Sequence, residues 1–445
     1  MAAARCPQEW SEWSEWLAEG LHGRNRWRLS VILGGMLFAR GRRTVTTWLR
    51  AAGVGLGFAS YYYFIAAVGR KGKSVATQLL ALLLQRLPLP DRVLLALDDS
   101  PTKRYGPHVE GADVHHNPTP GPADQAYLYG HVWVTLSLVM RHALWGTIGL
   151  PLWAWLYVRQ RTLAQLPKGY RWPFRTKLEL AARLLQWAAE VLKTAGKSVW
   201  LVADGAYAKR VFLKAARAAG VVVVSRLRKD AALRDLPPQC KRGARRPRGR
   251  PRKYGKHKIS LARRAAHRGG WQTVECVVYG KHVVKRYKTF LATYRPADGL
   301  LRVVIVKEEQ GCHNFFCTDP NASPREIIEA FADRATIEQD FHDVKEIWGA
   351  GQQQVRNLWA NIGCFNLNLW MHTLVELWAW DKSQHALCDR RASPWDDADR
   401  RPSHADRRKA LCRAILRAEL SIITATWRVP RKILQLAKQL LLLAV

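Results

Sequence analysis

The sequence has few acidic residues for its number of basic ones. Its 445 residues include 35 Asp and Glu against 71 Lys and Arg, so the formal net charge is +36. A positive charge of this size, spread over most of the chain, indicates a polyanionic partner and most often nucleic acid. Ribosomal and membrane-surface proteins can be equally basic, but 20 tryptophans and a hydrophobic fraction of 48% are unusual for either class.

A long apolar run is also missing. The longest apolar segment, 143–158, is shorter than the roughly 20 residues that span a bilayer and contains Gly and Pro, so a buried strand is predicted there. Residues 1–16 are acidic and aromatic, whereas an export signal is basic and then apolar. A cytoplasmic protein that does not associate with membranes is therefore expected.

The eight cysteines include no Cys-x2-Cys pair. Cys312 and Cys317, in CHNFFC, are the one close pair, and without a second pair at a suitable distance they do not predict a zinc site. Free thiols in a reducing compartment are expected instead.

The length of the chain predicts two or more domains. Helical periodicity in residues 1–88, with basic and hydroxyl residues at helix ends, is typical of a helical DNA-binding domain or of a plain helical bundle. Apolar runs between residues 92 and 158 predict three buried strands. A strand, a helix and a strand follow in 198–226, an order that predicts parallel pairing through a right-handed crossover. Alternating stretches in 270–317 predict an antiparallel β insertion.

Between these regions, residues 240–258 contain ten Lys or Arg and no acid, which predicts a mobile basic loop. The predicted domains are the N-terminal helical DNA-binding domain (1–88), the first part of an α/β core (89–238), the basic loop with the β-rich insertion (239–320), the C-terminal helices of the core (321–380) and a polar linker with a basic helical tail (381–445).

One helix is predicted to begin at Ser323, where Ser-Pro-x-Glu is typical of a capped start, and to run to about Trp348. Four of its residues lie within an arc of roughly 60° at the edge of the apolar face: Phe331, Arg334, Glu338 and Lys345. A carboxylate in a row with cations at such an edge favours a site where Glu338 binds a metal ion while Arg334 and Lys345 bind phosphates.

Two aspartates are candidate partners of Glu338. Asp99 ends the predicted strand that starts at Arg92, and Asp204 ends the predicted strand near residue 200. Acids at the ends of neighbouring strands repel unless a divalent cation lies between them. Three carboxylates from two strands and a helix predict a Mg²⁺ site, in which two ions about 4 Å apart support in-line phosphoryl transfer. Asp98 is an alternative to Asp99, because the pair leaves the register of the strand open.

These motifs resemble those of the DDE transposases of bacterial insertion sequences, in the group whose last acidic motif is Tyr-x2-Arg-x3-Glu-x6-Lys. The same spacing is found here, with Phe in place of Tyr, at Phe331, Arg334, Glu338 and Lys345. LALDDS and LVADGAY are similar to the two aspartate motifs of that family. The long interval between Asp204 and Glu338 is similar to that of members with a β-rich insertion. The resemblance covers residues 92–377.

The resemblance implies an α/β fold with an RNase H-like core, in which a mixed sheet is flanked by helices and carries the insertion. It implies Mg²⁺-dependent DNA cleavage and strand transfer at terminal inverted repeats, with Mn²⁺ able to replace Mg²⁺. Asp99, Asp204 and Glu338 carry over as the catalytic, metal-binding acids. Asp99 is preferred to Asp98 because it precedes the small Ser100 in the same way as the acid of the family's first motif. A homodimer or larger synaptic assembly, acting on terminal and target DNA in the bacterial cytoplasm at the nucleoid, is also implied.

Two further features concern DNA. Arg248 and Arg250 lie in RPRGRP, which resembles the core of an AT-hook. Arginines extended around a Gly-Arg-Pro turn fit the narrow minor groove of A·T-rich DNA, and a clamp that only neutralises phosphates is an equal alternative. Trp271, in the β insertion, is a candidate to stack on a base flipped out during the hairpin formation of cut-and-paste family members, with core packing as the alternative.

Two other functions fit the same residues. One is a stand-alone Mg²⁺ nuclease of this fold. The other is a DNA-binding regulator or inactive relic derived from a transposase. This alternative stays open because Phe331 lacks the hydroxyl group of the family's Tyr.

Overall fold

The computed structural model describes residues 8–117, 125–167, 169–170, 172–238, 249, 252–388, 390, 395–397, 399–427, 429–430, 432–435 and 437. Within these ranges twelve strands form one mixed sheet. They are β1 (Arg92–Lys103), β2 (Asp113–His116), β3 (Tyr127–His142), β4 (Gly146–Tyr157), β5 (Ser198–Ala203), β6 (Val222–Arg226), β7 (Leu233–Arg234), β8 (Lys258–Ile259), β9 (Gln272–Val278), β10 (Lys281–Tyr294), β11 (Gly299–Glu308) and β12 (Gly311–Cys317).

Helices cover the sheet. They are α1 (Gln8–Ala18), α2 (Arg26–Phe38), α3 (Val45–Ala51), α4 (Ala59–Arg70), α5 (Gly72–Arg86), α6 (Gln160–Leu163), α7 (Lys177–Thr194), α8 (Arg210–Ala218), α9 (Leu261–Ala266), α10 (Pro324–Asp333), α11 (Ala335–Glu346), α12 (Leu358–Ala379), α13 (Gln384–Leu387) and α14 (His404–Thr426). In the part of the chain that the structure describes, no helix combines the length and the hydropathy needed to cross a membrane.

The centre of the sheet has the strand arrangement of an RNase H-like core. β3, β1, β5 and β6 are neighbours in that order, and β4 pairs with β3. β1 is antiparallel to β3 and parallel to β5, and β5 is parallel to β6. Helix α8 connects β5 to β6, as expected for the parallel unit predicted between residues 198 and 226. The predicted α/β fold, with a mixed sheet flanked by helices, is confirmed.

The predicted antiparallel insertion consists of β9, β10, β11 and β12. β12 also pairs with β6, through Phe315, Phe316 and Cys317. The insertion therefore extends the central sheet instead of forming a second one. Cys312 and Cys317 lie on the same strand and are both free thiols.

Two apolar layers cover the two faces of the sheet. On one face, Ala96 of β1 belongs to a cluster with Ile337 and Phe341 of α11. On the other face, Leu95 and Leu97 belong to a larger core that contains residues of α7, α12 and the N-terminal helices. Successive residues of β1 therefore face different helices, as the pleat of a strand requires.

The N-terminal helices join this larger core through a close contact between α4 and α12. Gly69 and Gly363 lie at the contact, and a Cβ atom on either would overlap a carbonyl oxygen of the other helix, that of Trp359 or Ile65. The missing side chains let the two backbones approach each other. The domain limits at residues 88, 238, 320 and 380 stay predictions.

The single helix predicted from Ser323 to Trp348 is divided in two. Its capped start is as predicted, but α10 ends and α11 begins on either side of Arg334. The backbone there forms i to i−3 hydrogen bonds, from the N–H of Arg334 to Phe331 and from that of Ile337 to Arg334. This tighter turn interrupts the α-helix, so the prediction of an unbroken helix is wrong at one residue.

We predict that Gly363→Ala destabilises the protein. The new methyl group would force α4 and α12 apart, and overpacking of this kind costs about 2 kcal/mol. Gly34→Ala in α2 is the matched control, because a Cβ there meets nothing within 4 Å. The control should be neutral or stabilising by about 0.5–1 kcal/mol, since Ala favours a helix over Gly. Urea unfolding of both variants measures the difference, and equal midpoints would contradict the close contact.

Candidate active site

The register of two parallel strands brings Asp98 and Asp204 to the same level. β1 and β5 are paired up to Leu97 and Ala203, so Asp98, within β1, lies beside Asp204, which directly follows β5. Asp204 caps the turn that follows β5 by accepting a hydrogen bond from the Ala206 N–H at 3.2 Å. Both carboxyl groups are thus positioned by the backbone of the central sheet.

Arg334 connects Asp98 to Glu338. Its Nη1 donates to Asp98 Oδ2 at 2.6 Å and its Nη2 donates to Glu338 Oε1 at 2.5 Å. The side chain of Arg334 is 16% exposed and that of Glu338 is 59% exposed. Asp98 shares the sheet face of Ala96, which packs against α11. Arg334 therefore joins Asp98 to Glu338, and Asp204 lies beside Asp98 on the neighbouring strand.

Asp98 is costly to ionise at this position. Burial raises its pKa to about 6, although Arg334 and the backbone N–H of Asp99 favour the charged form. The carboxylates of Asp99 and Asp204 act in the same direction as burial. A divalent cation among these acids would compensate their mutual repulsion.

Asp99, the residue preferred from the sequence, lies on the opposite face of β1. Lys177 Nζ donates to its Oδ2 at 2.6 Å and the Tyr207 hydroxyl donates to its Oδ1 at 2.7 Å. Burial and the Asp99 charge raise the pKa of Tyr207 well above its ordinary value. The structure therefore places Asp99 with α7 and the turn after β5, and not with Glu338.

The sequence contains a signal for this arrangement. Leu97 and Ala203 are the last apolar residues of their strands, and the acid that directly follows each is Asp98 or Asp204. No comparable sequence signal identifies Lys177 as a partner of Asp99, because the two residues are far apart in the sequence. Tyr207 at least lies in the same LVADGAY motif as Asp204.

The Phe331 ring packs against the guanidinium group of Arg334. The Arg334 guanidinium lies over the Phe331 ring, with its Cζ 5.6 Å from the ring centroid. Phe331 in turn packs on Phe315 of β12, with centroids 4.6 Å apart. An aromatic ring at position 331 thus positions the arginine without needing a hydroxyl group. Lys345 follows on α11, two turns after Glu338.

The remaining predicted DNA contacts are Arg248, Arg250 and Trp271. Arg248 and Arg250 lie outside the described residues. The Trp271 ring is faced by Lys288 Nζ at 4.7 Å and by Arg286 at 6.0 Å from its centroid. Lys288 itself is 8% exposed and is held by the carbonyl oxygens of two residues of the neighbouring loop. A base could not reach that side of Trp271 without displacing a buried cation.

The donor set of the three acids fits a magnesium ion. Asp98, Asp204 and Glu338 offer only carboxylate oxygens, which are the ligands that Mg²⁺ prefers. Arg334 already places a positive charge between two of them. The ligand type therefore matches a hard divalent cation, which would compete with Arg334 for the two carboxylates.

A second cluster of acids and histidines lies behind α11. Asp343, His372 and His404 each offer a ligand atom within 4.8 Å of the others. The His372 and His404 rings are stacked, however, with centroids 4.0 Å apart and planes at 15°, so one ion cannot lie in both ring planes. Both nitrogens of His404 are also engaged, because Trp348 Nε1 donates to Nε2 at 2.8 Å and Nδ1 contacts Glu376 at 2.6 Å. We interpret the cluster as a buried ion-pair network and not as a metal centre.

This network joins α11 to α12 and α14. Arg407 of α14 donates to Glu376 of α12. Burial favours the neutral acid, but Arg407 and His404 outweigh it and hold the pKa of Glu376 well below its usual range. Burial likewise opposes the charge of Asp343, and its histidine partners lower its pKa to about 2. The network therefore holds α11, and with it Glu338, through buried ion pairs and hydrogen bonds.

A cavity of about 950 Å³ borders the same network. From α11 it is lined by Ala335, Thr336, Gln339, Asp340, His342 and Asp343. Asp98, Asp204 and Glu338 are not among its lining residues. The cavity is thus separate from the three acids.

Comparison with protein families gives one match. A family described as DDE superfamily endonuclease matches residues 17–287, which is more than half of the chain. The matched span contains Asp98, Asp99 and Asp204 and ends before Glu338. No curated protein matches the chain at a significant level.

We predict that Asp343→Asn lowers stability in a pH-dependent way. The folded pKa of about 2 lies below the value of about 3.9 for an unfolded Asp. The ionised carboxylate therefore stabilises the fold above about pH 4, and this contribution is lost as the pH falls through 2. The variant should lose about 2 kcal/mol at pH 7 and progressively less below pH 4.

Denaturant unfolding at pH 7, 5 and 3.5 measures this loss. Asp381→Asn is the control, because Asp381 is exposed. A deficit of Asp343→Asn that stays constant over this pH range would mean that packing, and not charge, causes it.

Proposed function

The chain belongs to the DDE superfamily of endonucleases, which act on DNA, and on this premise we propose that it is a transposase of a bacterial insertion sequence. Its reaction would be metal-dependent cleavage and strand transfer at terminal inverted repeats. The observation that carries this proposal is the approach of Asp98 and Glu338 to a single arginine, at the level of Asp204. Such a set of acids, on two strands and a helix, is suited to phosphoryl transfer.

We assign Asp98, Asp204 and Glu338 as the catalytic acids that would hold Mg²⁺ or Mn²⁺. A bound divalent cation would supply activation of the attacking oxygen and stabilisation of the leaving oxygen. Asp98 replaces Asp99 in this assignment, because Asp99 faces Lys177 and Tyr207 on the other side of the sheet. In our proposal Asp99 is a positioning residue that fixes Lys177 beside the strand.

Arg334 has two uses in this proposal. In the absence of a nucleic acid its guanidinium neutralises Asp98 and Glu338. When DNA is bound, the same planar group is suited to donate two parallel hydrogen bonds to a phosphate. Because the Phe331 ring supports it, a small rotation suffices to redirect it. Lys345 would hold a second phosphate further along α11.

The partners follow from the charge of +36. Terminal repeats and target DNA are the proposed substrates, bound in part by the N-terminal helices and by the arginines at positions 248 and 250. Transposition brings two DNA ends together, so a homodimer or a larger synaptic assembly in the bacterial nucleoid is proposed.

We predict that Glu338→Gln and Asp98→Asn abolish cleavage of DNA that carries the gene's own flanking sequences. Each change removes a charge required for the metal ion, and a loss of at least about 10³-fold is expected. Asp99→Asn should stay within about tenfold of the wild type, because its ion pair with Lys177 contributes about 1 kcal/mol. Gel assays in Mg²⁺ measure cutting, and binding is measured separately.

Glu346→Gln is the matched control, since Glu346 is an exposed acid on the same helix. Loss of cutting with Asp99→Asn but not with Asp98→Asn would overturn the assignment. Equal cutting of unrelated DNA would identify a stand-alone nuclease. Binding by the wild type without cutting, in both Mg²⁺ and Mn²⁺, would identify a DNA-binding relic.

A further inference from the structure

Three arginines meet where the N-terminal helices contact α14. Arg40 and Arg43 lie in the turn between α2 and α3, and Arg408 lies in the first half of α14. Nη2 of Arg408 donates to the carbonyl oxygens of Leu37 at 2.6 Å and of Ala39 at 3.3 Å. These bonds attach α14 to the start of that turn, and we call Arg40, Arg43 and Arg408 the arginine cluster.

No acid neutralises the arginine cluster in the described part of the chain. The side chains of Arg40 and Arg43 have no hydrogen bond or ion pair there, and Arg408 donates only to carbonyl oxygens. Burial and the charge of Arg408 lower the pKa of Arg43 to about 10, and Arg40 acts in the same direction. Burial and Arg40 also lower the pKa of Arg408. The three cations therefore repel one another.

The thiol of Cys412 on α14 could offset these charges only as a thiolate. Cys412 is 2% exposed, and burial raises its pKa to about 11, although Arg408 and Arg43 favour the thiolate. Its Sγ contacts the carbonyl oxygen of Leu37 at 3.6 Å. The thiol is therefore neutral at physiological pH, and the arginine cluster keeps its full positive charge.

Two N–H groups of the arginine cluster are buried without an acceptor among the described residues. They are Nη1 of Arg43 and Nε of Arg408. A buried donor without an acceptor is unfavourable, and more so when it belongs to a charged group. Arg40 is exposed, so the arginine cluster opens to solvent on its side. A ligand that enters there needs a negative charge and several acceptor oxygens.

A phosphate group has both properties. Its oxygens accept hydrogen bonds from two guanidinium groups at once, in a geometry that arginine matches well. DNA is the source of phosphate that fits this chain, because the net charge is +36 and the chain belongs to a family of endonucleases. Phosphate contacts also supply most of the affinity of a protein for DNA of any sequence.

The loop that follows α11 holds the backbone of Arg43. The Arg43 N–H donates to Gln352 Oε1 at 2.8 Å, and Gln353 Nε2 donates to the Arg43 carbonyl oxygen at 3.1 Å. Glu346, the last residue of α11, lies about 12 Å from Glu338 along the helix axis. An anion bound by Arg43 would therefore be attached, through this loop, to the helix that carries Glu338.

We propose that the arginine cluster binds one backbone phosphate of DNA, at a site separate from Arg334 and Lys345. Arg43 and Arg408 donate to the same phosphate, and Arg40 strengthens the positive potential at the opening. The proposal rests on the proposed function only in taking DNA as the partner. It adds a contact that the N-terminal helices and α14 make together.

The test measures binding of the full-length protein to a short DNA duplex of arbitrary sequence. Fluorescence anisotropy is recorded in EDTA at several salt concentrations, so no cleavage occurs. Arg43→Gln should weaken binding about tenfold and make the salt dependence less steep by about 0.9, the value for one phosphate. Arg42→Gln is the matched control, because it removes an exposed charge from the same turn and should stay within about threefold of the wild type. Equal losses in the two variants would overturn the proposal.

A double variant tests whether the two arginines share one phosphate. Arg408→Gln should also weaken binding about tenfold, and the double variant should bind about as weakly as either single one. Independent contacts would multiply to about a hundredfold and would contradict the shared site. Urea unfolding shows whether each variant folds. Arg43→Gln should not lower the midpoint, because the Arg43 side chain has no partner in the fold, and its result decides the proposal if Arg408→Gln does not fold.

Inorganic phosphate, added at constant ionic strength, distinguishes a free anion from DNA. A higher urea midpoint in the wild type but not in Arg43→Gln, with equal DNA binding by both, would assign the arginine cluster to a free anion and overturn the proposal. Absence of DNA binding by the wild type would overturn the proposed function as well. Wild-type binding that is unchanged in Arg43→Gln would overturn this proposal alone. A chain that never cuts DNA can still give each of these results.

A further measurement needs no variant. Phenylglyoxal modifies accessible arginines, and mass spectrometry reads the modified peptides with and without DNA. Arg40 is exposed in the free protein and should be protected by the duplex, whereas Arg417, exposed further along α14, should stay reactive. Unchanged reactivity of Arg40 would contradict the proposal.

Discussion

The two hydrogen-bonded ion pairs of Arg334, with Asp98 and with Glu338, are the interaction on which the candidate site depends. Burial and the neighbouring charges of Asp99 and Asp204 oppose the ionised form of Asp98, and Arg334 favours it. The α-helix is interrupted at this residue, and the Phe331 ring supports its guanidinium from below. The local structure at the junction of α10 and α11 is thus arranged around one cation.

The other side of α11 is held by different interactions. Asp343, His372, Glu376, His404 and Arg407 are all at most 8% exposed and connect three helices. Breaking a buried pair leaves an uncompensated charge, which is far more destabilising than loss of a surface pair. Helix α11 therefore has a rigid buried side and an exposed side that carries Glu338. This division holds α11 in place while the carboxylate of Glu338, the acid proposed to bind the metal ion, stays exposed.

Much of this arrangement is predictable from the sequence, for physical reasons. The helix start at Ser323 and the spacing from Arg334 to Glu338 depend on local rules of capping and periodicity. The parallel pairing of β5 with β6 follows from the order of elements. The choice between Asp98 and Asp99 cannot be read from β1 alone, because this strand is covered on both faces and its apolar residues show no alternation. It needs the comparison of Leu97 and Ala203, the last apolar residues of the two strands. The buried network and the contact between Gly69 and Gly363 depend on residues far apart in sequence, which no local pattern reveals.

The two adjacent aspartates lie in different environments on the two faces of β1. Asp98 faces α11 and the acids, whereas Asp99 faces Lys177 and Tyr207. The backbone N–H of Asp99 donates to Asp98 Oδ1 at 2.8 Å, so the peptide unit between the two residues connects their two environments. Lys177 begins α7, so the Asp99 side joins β1 to that helix, whereas the Asp98 side joins β1 to the junction of α10 and α11. An effect of Asp99 on Asp98 and Glu338 is therefore transmitted through the backbone of β1.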